Sequence, residues 1–202
     1  MISVEKVGKT FGSFVALEEV SLEVRRGETF GLAGPNGAGK TTLLKALVGV
    51  LRPTTGRCRI DGVAVDEQPV EARRRTGYLP GDSSFYEAQT GRAFLRDALA
   101  DYPRVDRALE AELLTTFAIP PDKRVRAYSH GMKRKIGIIQ ALPPDVPVAI
   151  LDEPEEGLDP TARQKFLDVL RRLRARGKTI FLSSHQLDGV GQGCDRVALL
   201  VA

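Results

Sequence analysis

The stretch of sequence that decides the fold reads Gly34-Pro35-Asn36-Gly37-Ala38-Gly39-Lys40-Thr41. The apolar run 29–33 before it predicts a short strand. After it, apolar residues at helical spacing over 43–51 predict a helix, which Pro53 ends. A strand, a glycine-rich loop and a helix in this order are typical of a loop that binds phosphate groups.

The residues of this loop suit a nucleoside triphosphate that carries a metal ion. Glycines allow backbone N–H groups to turn inward around a phosphate, where side chains would block them. The helix that begins at Lys40 adds the positive end of its dipole, and the Lys40 ammonium can reach the β- and γ-phosphates. The hydroxyl of Thr41 is a suitable ligand for Mg²⁺. We therefore expect a nucleotide at this loop and a metal ion at Thr41.

Two carboxylates follow a second apolar strand. The run 148–151 leads directly into Asp152 and Glu153. We expect Asp152 to bind Mg²⁺ through a water, and Glu153 to polarise the water that attacks the γ-phosphate. Adjacent acidic residues at strand ends are often plain surface, but that interpretation does not explain why an apolar strand precedes this pair.

The rest of the chain predicts an α/β fold: a P-loop NTPase core with a mainly parallel sheet. Alternating residues over 3–24 predict an N-terminal antiparallel β region. Helical spacing with Thr90 as an N-cap, and a last helix that starts near Ser129, predict an inserted α-helical lobe. Strands and helices then alternate again, which favours parallel pairing. We expect one domain over 1–202, with 1–82 and 143–202 as the catalytic core and 83–142 as the helical lobe.

The composition predicts a soluble globular chain. Its 202 residues are 42% hydrophobic and 28% charged, which is enough for one sizeable core. The first residues lack the sections of a signal peptide, and no apolar run approaches the ~18 residues that span a bilayer. We expect a cytoplasmic protein that reaches a membrane only through a partner. Cys58 and Cys194 fit neither a disulfide framework nor a zinc site and are predicted to be buried apolar residues.

Three basic clusters accompany the net charge of +4. They occupy 73–75, 133–135 and 171–176, in stretches that look helical. A basic surface can suit a partner rich in phosphate. Aromatic residues that would stack on bases are not interleaved with these charges, so we interpret the clusters as solvated helix faces and expect no nucleic-acid partner.

Six motifs, taken in order, resemble the nucleotide-binding domain of ATP-binding cassette transporters over essentially the whole chain. Each motif alone is weak, but the shared order and separations are hard to reach by coincidence. The motifs are Phe11, similar to the family's aromatic residue that stacks on adenine; the phosphate loop Gly34 to Thr42; Tyr128-Ser129-His130-Gly131-Met132 at the place of the signature; Asp152-Glu153-Pro154; Gly157-Leu158-Asp159-Pro160, which resembles the dimer-contact loop; and Ser183-Ser184-His185, which ends in the switch histidine.

The resemblance implies an ATPase that works as two copies. ATP with Mg²⁺ at Lys40 of one chain would be covered by Ser129 and Gly131 of the other, and Asp159 would lie at the same contact. Taken alone, Ser129 is more often only a helix cap. His185 follows an apolar strand that aims it at the carboxyl edge of the sheet, where a neutral imidazole could hydrogen-bond the γ-phosphate or the attacking water.

Two departures from the family pattern refine this picture. Relatives usually carry a glutamine after the strand at 76–79, where it contacts Mg²⁺; here Gly81-Asp82 follows Leu79-Pro80, and Asp82 is a candidate metal ligand in its place. With the Tyr-Ser-x-Gly-Met signature, this resembles the branch that serves export permeases for drugs and other amphiphilic cargo. His130 stands where glycine is usual, which narrows the room near the γ-phosphate and could add a donor.

Three functions are therefore open. The first is a dimeric ATPase subunit that powers a separate transmembrane permease, at the inner face of the membrane. The second is a cassette ATPase that acts on nucleic acid or ribosomes. The third is a switch that binds ATP and turns it over poorly, against which the presence of Glu153 argues.

Overall fold

The computed structural model describes residues 1–81, 88–185 and 193–201. No helix in these ranges is both long and apolar enough to cross a membrane. The strands are β1 (Ile2–Phe11), β2 (Phe14–Val24), β3 (Thr29–Ala33), β4 (Thr55–Ile60), β5 (Val63–Ala64), β6 (Thr76–Leu79), β7 (Val148–Leu151), β8 (Thr179–Ser184) and β9 (Arg196–Leu199). The helices are α1 (Lys40–Leu47), α2 (Pro69–Arg74), α3 (Gly91–Ala98), α4 (Arg107–Thr116), α5 (His130–Ala141) and α6 (Pro160–Ala175).

Strands β1, β2, β4 and β5 form the antiparallel region that the alternating N-terminal pattern predicts. The sheet has the order β2-β1-β4-β5. Within β1, Val4 pairs with Leu22 of β2 on one side and with Cys58 of β4 on the other. Val4 and Cys58 are buried, because alternate side chains of a strand point to the same face and this face packs on the core.

The second sheet is parallel and has the order β6-β7-β8-β3-β9. Strands β3, β7 and β8 are buried along their whole length, which explains why they read as continuous apolar runs. Because the strands are parallel, the loops that follow β3, β6, β7 and β8 all leave the sheet at the same edge. This edge brings together the predicted phosphate loop, the Asp152-Glu153 pair and His185.

The parallel sheet separates two hydrophobic clusters. Ile150 and Phe181 belong to the cluster shared with α1 and the antiparallel sheet, and Phe181 stacks on Phe30 with 5.5 Å between the ring centroids. Leu151 and Ile180 belong to the cluster that also contains apolar side chains of α3, α4, α5 and α6. The helical lobe is therefore packed on one face of the sheet through a continuous apolar core.

Helices α3, α4 and α5 lie in the segment predicted to be helical, and each begins at a capped residue. The Thr90 hydroxyl, the Asp106 carboxylate and the Ser129 hydroxyl accept a backbone N–H of the first turn at 3.2, 2.9 and 3.2 Å respectively. The predicted caps at Thr90 and Ser129 are thus confirmed. Such caps satisfy N–H groups that a helix cannot bond internally.

Helix α1 is shorter than predicted. It ends at Leu47, because Gly49 takes a left-handed φ of 67° and turns the chain out of the helix. The N–H of Val50 then donates to the carbonyl of Lys45 at 2.9 Å. Val50 itself is exposed. The apolar residues between Leu47 and residue 51 keep the spacing of a helix, but they lie outside the helix.

The two cysteines differ in exposure. Cys58 is buried as predicted, whereas Cys194 is only partly buried, so that prediction is wrong for Cys194. Burial is the main cause that raises the pKa of each thiol to about 12. Both thiols are therefore protonated at neutral pH and are poor nucleophiles.

Candidate functional site

The loop between β3 and α1 needs its glycines for both conformation and space. Gly37 and Gly39 have φ values of 86° and 93°, which side chains rarely adopt. A Cβ added at Gly39 would lie 2.4 Å from the carbonyl oxygen of Ala16. Because Gly39 is also the N-cap of α1 and has no side chain with which to cap it, the first N–H groups of the helix depend on an acceptor from elsewhere. An anion at this position would supply that acceptor.

Lys40 is buried at the start of α1, with only 6% of its surface exposed. Its Nζ donates to the carbonyl oxygens of Gly34 at 2.7 Å and Pro35 at 3.1 Å. The same Nζ lies 3.4 Å from Oε1 of Glu153. The ammonium is thus held inside the loop, with its charge facing the end of β7.

Glu153 and His185 form a second contact at this edge. Oε2 of Glu153 accepts the backbone N–H of His185 at 3.1 Å and lies 2.8 Å from its Nδ1. A proton on Nδ1 would donate to the carboxylate, which leaves Nε2 as an acceptor in neutral imidazole. Glu153 itself adopts a φ of 48°, a left-handed conformation that costs energy for a residue with a Cβ. Strain of this kind is often found at functional sites.

Asp152 is completely buried. Its Oδ1 accepts the Ser183 hydroxyl at 2.5 Å, and the same hydroxyl oxygen accepts the Glu153 N–H at 2.9 Å. Its Oδ2 has no hydrogen-bond partner among the described residues. A buried carboxylate oxygen without a partner is costly unless a cation or water satisfies it. The carboxylate therefore fits the predicted magnesium ligand.

The space beside Asp152 is kept open by Gly81. A Cβ at Gly81 would lie 2.7 Å from Oδ2 of Asp152. Asp82, the second candidate metal ligand at this loop, lies outside the described residues. Within the described ranges no three His, Cys, Asp or Glu side chains gather into a metal cluster. This is compatible with Mg²⁺, which usually takes one or two protein ligands and completes its shell with waters and substrate phosphates.

A cavity of about 340 Å³ opens over the phosphate loop. Phe14 and Ala16 of β2 line one side, and Glu153 lines another; the remaining lining residues are Asn36, Gly37, Gly39, Lys40, Thr41 and Thr42. Phe11, the predicted adenine-stacking residue, is not among the lining residues, although it pairs with Phe14 across the β1–β2 hairpin and is 49% exposed. Phe14 is 62% exposed and lines the cavity, although the resemblance to the family does not single it out.

The signature and dimer-contact residues lie apart from this cavity. Ser129 is exposed at the start of α5, and a Cβ at Gly131 would lie 2.7 Å from the carbonyl oxygen of Gly157. Asp159 caps α6 by accepting the Ala162 N–H at 2.8 Å, and it accepts Lys135 Nζ at 3.2 Å. These two contacts, with the backbone bond first, hold the pKa of Asp159 below its ordinary value. Within one chain, Ser129 and Asp159 therefore act as helix caps.

One of the three basic clusters contains a buried arginine. The predicted solvated face at 133–135 is wrong for Arg134, which is only 4% exposed. Its guanidinium donates to backbone carbonyls at the ends of β6 and β7, including Pro80 at 2.9 Å and Glu153 at 3.1 Å. A signal for this burial exists in the sequence, because Arg134 shares one helix face with the apolar residues Ile138 and Ala141.

Comparisons with known proteins agree with the motifs. The family described as ABC transporter matches residues 17–156. An uncharacterized ABC transporter ATP-binding protein of a Nostoc species is 44% identical over 193 residues, which cover 92% of this chain and 57% of that relative. The Nod factor export ATP-binding protein I of Burkholderia lata is 38% identical over 207 residues, 98% of this chain and 67% of that protein.

A solved structure described as the ATP binding subunit of an ABC transporter has a TM-score of 0.90 and 32% identity, with 98% of this chain and 85% of that chain covered. The chain thus shares the fold of this subunit nearly throughout. It spans little more than half of the Nostoc relative, at 57% of its length.

Proposed function

The chain belongs to the ABC transporter family, and from this premise we propose that it binds ATP with Mg²⁺, hydrolyses ATP to ADP and phosphate, and powers a separate transmembrane permease. One observation carries the proposal. A single edge of the parallel sheet brings together a buried lysine in a phosphate loop, a buried carboxylate with an unsatisfied oxygen, and a second carboxylate that contacts a histidine. These groups are the parts that phosphoryl transfer to water requires.

The phosphate loop provides the binding energy for the triphosphate. Its backbone N–H groups and the first turn of α1 would surround the β-phosphate, while Lys40 would turn from Glu153 toward the β- and γ-phosphates. Thr41 and Asp152 would hold Mg²⁺, and Asp82 is a further candidate ligand. When bound, the ion supplies positive charge against the phosphate oxygens.

Glu153 is the proposed general base. A water beside its carboxylate attacks the γ-phosphorus, the bond from that phosphorus to the bridging oxygen breaks, and the proton of the water passes to Glu153. His185 holds the carboxylate through the contact at 2.8 Å. With the proton on Nδ1, its Nε2 would accept a hydrogen bond from the attacking water. ADP and inorganic phosphate are the products.

A second cassette subunit, identical or related, completes the proposed site. Ser129 is exposed at the start of α5, and this helix has its positive dipole end at the same place. Ser129 and Gly131 of one chain would then cover the γ-phosphate bound by the other, with Asp159 at the same contact. Phe11 or the neighbouring Phe14 would stack on the adenine.

The permease is proposed to dock on the helical lobe of residues 83–142 and on the loop after Gly81, which would place the chain at the cytoplasmic face of a membrane. The proposed core comprises 1–82 and 143–202. The name of the Burkholderia relative favours export.

Action on nucleic acid has less support, because the exposed arginines of α6 pair with carboxylates. Arg172 pairs with Glu112, and Arg174 pairs with Asp195.

The test is Glu153→Gln, with Glu156→Gln as its control because Glu156 is an exposed carboxylate nearby. We expect wild type and Glu156→Gln to release phosphate from ATP in a magnesium-dependent reaction. Glu153→Gln should keep ATP binding, lower kcat by about 100-fold or more, and accumulate as an ATP-dependent dimer in size-exclusion chromatography. Unchanged turnover would show that Glu153 is not the base.

Two further measurements test the partner. Co-purification with a transmembrane protein from native membranes would support the permease, and stimulation of ATP turnover by RNA or DNA would favour an ATPase that acts on nucleic acid or ribosomes.

A further inference from the structure

We infer that Arg134 is a positioning residue for hydrolysis, because its buried guanidinium ties helix α5 to the backbone of Glu153 and to the loop that follows β6. The inference rests on the proposed function and deepens it. Arg134 does not line the cavity over the phosphate loop, so its effect on the reaction would pass through the residues that it holds.

The contacts of Arg134 span three elements. From α5, its Nε donates to the Glu153 carbonyl at 3.1 Å, and its Nη2 donates to the carbonyls of both Asp152 and Glu153. Its Nη1 donates to the carbonyls of Pro80 at 2.9 Å and Gly81 at 3.3 Å. One side chain therefore fixes the ends of β6 and β7 relative to each other and to α5.

The chemistry of these contacts requires arginine. A guanidinium presents five N–H donors in a rigid plane and stays protonated even when buried, whereas a lysine ammonium is a compact point charge. Carbonyls at the carboxyl ends of β6 and β7 no longer pair within the sheet and need donors. Nη2 also reaches the backbone carbonyl of the fully buried Asp152, so the same fork supplies a donor to this carbonyl.

The contact between Arg134 and the Glu153 carbonyl matters for the reaction because the backbone of Glu153 is strained. A residue with a φ of 48° keeps that conformation only when its surroundings hold it. Arg134 and the backbone N–H of Glu156, at 3.1 Å, both donate to the Glu153 carbonyl, and the Ser183 hydroxyl accepts the Glu153 N–H at 2.9 Å. Of these two donors to the carbonyl, only Arg134 comes from helix α5. Loss of the guanidinium would let the peptide relax and move the carboxylate away from its position beside Lys40 and His185.

Ser129, the residue proposed to meet nucleotide on the second copy, is the N-cap of the same helix. A shift of α5 when the copies close would therefore act directly on the Glu153 backbone and on Gly81. Arg134 makes this connection within one chain.

The experiment compares Arg134→Gln with Arg171→Gln, which removes an equal charge from the exposed face of α6. We expect Arg134→Gln to lower kcat roughly tenfold to 100-fold, while the Kd for ATP, measured by titration calorimetry, changes less than about threefold. Arg134→Lys keeps the charge without the planar fork and should recover only part of the loss. Arg171→Gln should match wild type in both quantities.

A double-mutant cycle separates positioning from general damage. If Arg134 acts through Glu153, Arg134→Gln should cause no further loss when added to Glu153→Gln, as residues that act as a unit are non-additive. Single-turnover assays with enzyme in excess over ATP measure this residual rate. An equal fold-loss in both backgrounds, an unchanged kcat for Arg134→Gln, or a weakening of ATP binding as large as the loss in kcat would each overturn the inference.

Two further comparisons cover an unstable variant and separate the role of Arg134 from the proposed ATPase activity. If Arg134→Gln unfolds at the assay temperature, the cycle is run with Arg134→Lys under the same criteria. Absence of turnover in the wild-type dimer would refute the proposed ATPase, whereas normal turnover in wild type together with a normal kcat in Arg134→Gln would refute the role of Arg134 alone.

Discussion

The Nζ of Lys40 lies 3.4 Å from Oε1 of Glu153, and both side chains are largely buried. The residue proposed to bind the γ-phosphate and the residue proposed to activate water thus form an ion pair across the entrance of the phosphate loop. A triphosphate brings several negative charges to the same ammonium. Nucleotide and Glu153 therefore compete for Lys40, and binding of ATP should release the carboxylate for its role as a base.

Removal of this competition should raise the affinity for ATP. Glu153→Gln eliminates the carboxylate charge while it keeps a similar side-chain volume, so Lys40 becomes fully available to the phosphates. We expect the Kd for ATP to fall about threefold to tenfold at low salt, and the difference to shrink as ionic strength rises. Titration calorimetry with the nucleotide in magnesium-free buffer measures it. Glu156→Gln serves as the matched control, and an equal or weaker affinity in Glu153→Gln would contradict the competition.

Gly81 should control access of metal to Asp152. An alanine methyl at this position would lie 2.7 Å from Oδ2, too close unless the fully buried carboxylate shifts. We expect Gly81→Ala to raise the magnesium concentration for half-maximal turnover by about tenfold, because the shift disturbs a metal ligand. Affinity for ATP in the presence of a chelator is the internal control and should be unchanged. A magnesium dependence equal to that of wild type would show that the ion does not approach this oxygen.

The parts of the site that are local in sequence could be predicted from it. The loop between β3 and α1 could be predicted because Gly37 and Gly39 supply the left-handed backbone that it adopts. Asp152 and Glu153 could be predicted because they follow a strand that is apolar along its whole length. The parallel sheet then places both at one edge, as the alternation of strands and helices predicts.

The parts that depend on tertiary packing could not be predicted with the same rules. The helical spacing places Arg134 on the apolar face of Ile138 and Ala141, but the sequence does not show the partners of its charge. The carbonyls at the ends of β6 and β7, which make its burial favourable, come from distant parts of the chain. The left-handed conformation of Glu153 is held in part by contacts from Ser183 and Arg134, which are distant in sequence. The exposure of Phe14 beside the cavity depends on the register of the β1–β2 hairpin.

The turn at Gly157 should not accept a side chain, because a Cβ there would contact His130. Gly177, which has a similar φ but no such neighbour, is the matched control. Gly157 and Gly177 have φ values of 71° and 91°, so alanine is strained at either, at a cost of about 1 kcal/mol. A Cβ at Gly157 would in addition lie 2.8 Å from Nδ1 of His130, whereas a Cβ at Gly177 would meet nothing within 4 Å. We expect Gly157→Ala to lower the melting temperature more than Gly177→Ala does.

His130→Ala identifies the source of that extra cost. It removes the ring that the new methyl would contact. The Gly157→Ala change should then lower the melting temperature of His130→Ala by no more than Gly177→Ala lowers that of wild type. Calorimetric melting of the five proteins measures both differences. Equal losses for the two single glycine variants would mean that His130 can move aside without cost.

Lys178 should make the stability of the chain rise above pH 8. Burial lowers the pKa of its ammonium to about 8 from an ordinary value of 10.5, although Asp145 and Asp106 act in the opposite direction. Its Nζ donates to the carbonyls of Leu142 at 2.9 Å and Pro144 at 2.6 Å. Between pH 8 and 10.5 the unfolded chain therefore binds more protons at Lys178 than the folded chain does, and stability increases with pH.

Urea unfolding of wild type and Lys178→Met at pH 7, 8, 9 and 10 isolates this contribution, because other titrating groups are common to both proteins. We expect the free energy of unfolding of wild type minus that of Lys178→Met to be smallest at pH 7 and to grow from pH 8 to 10. A difference that stays constant or declines over that interval would show that the buried ammonium keeps an ordinary pKa.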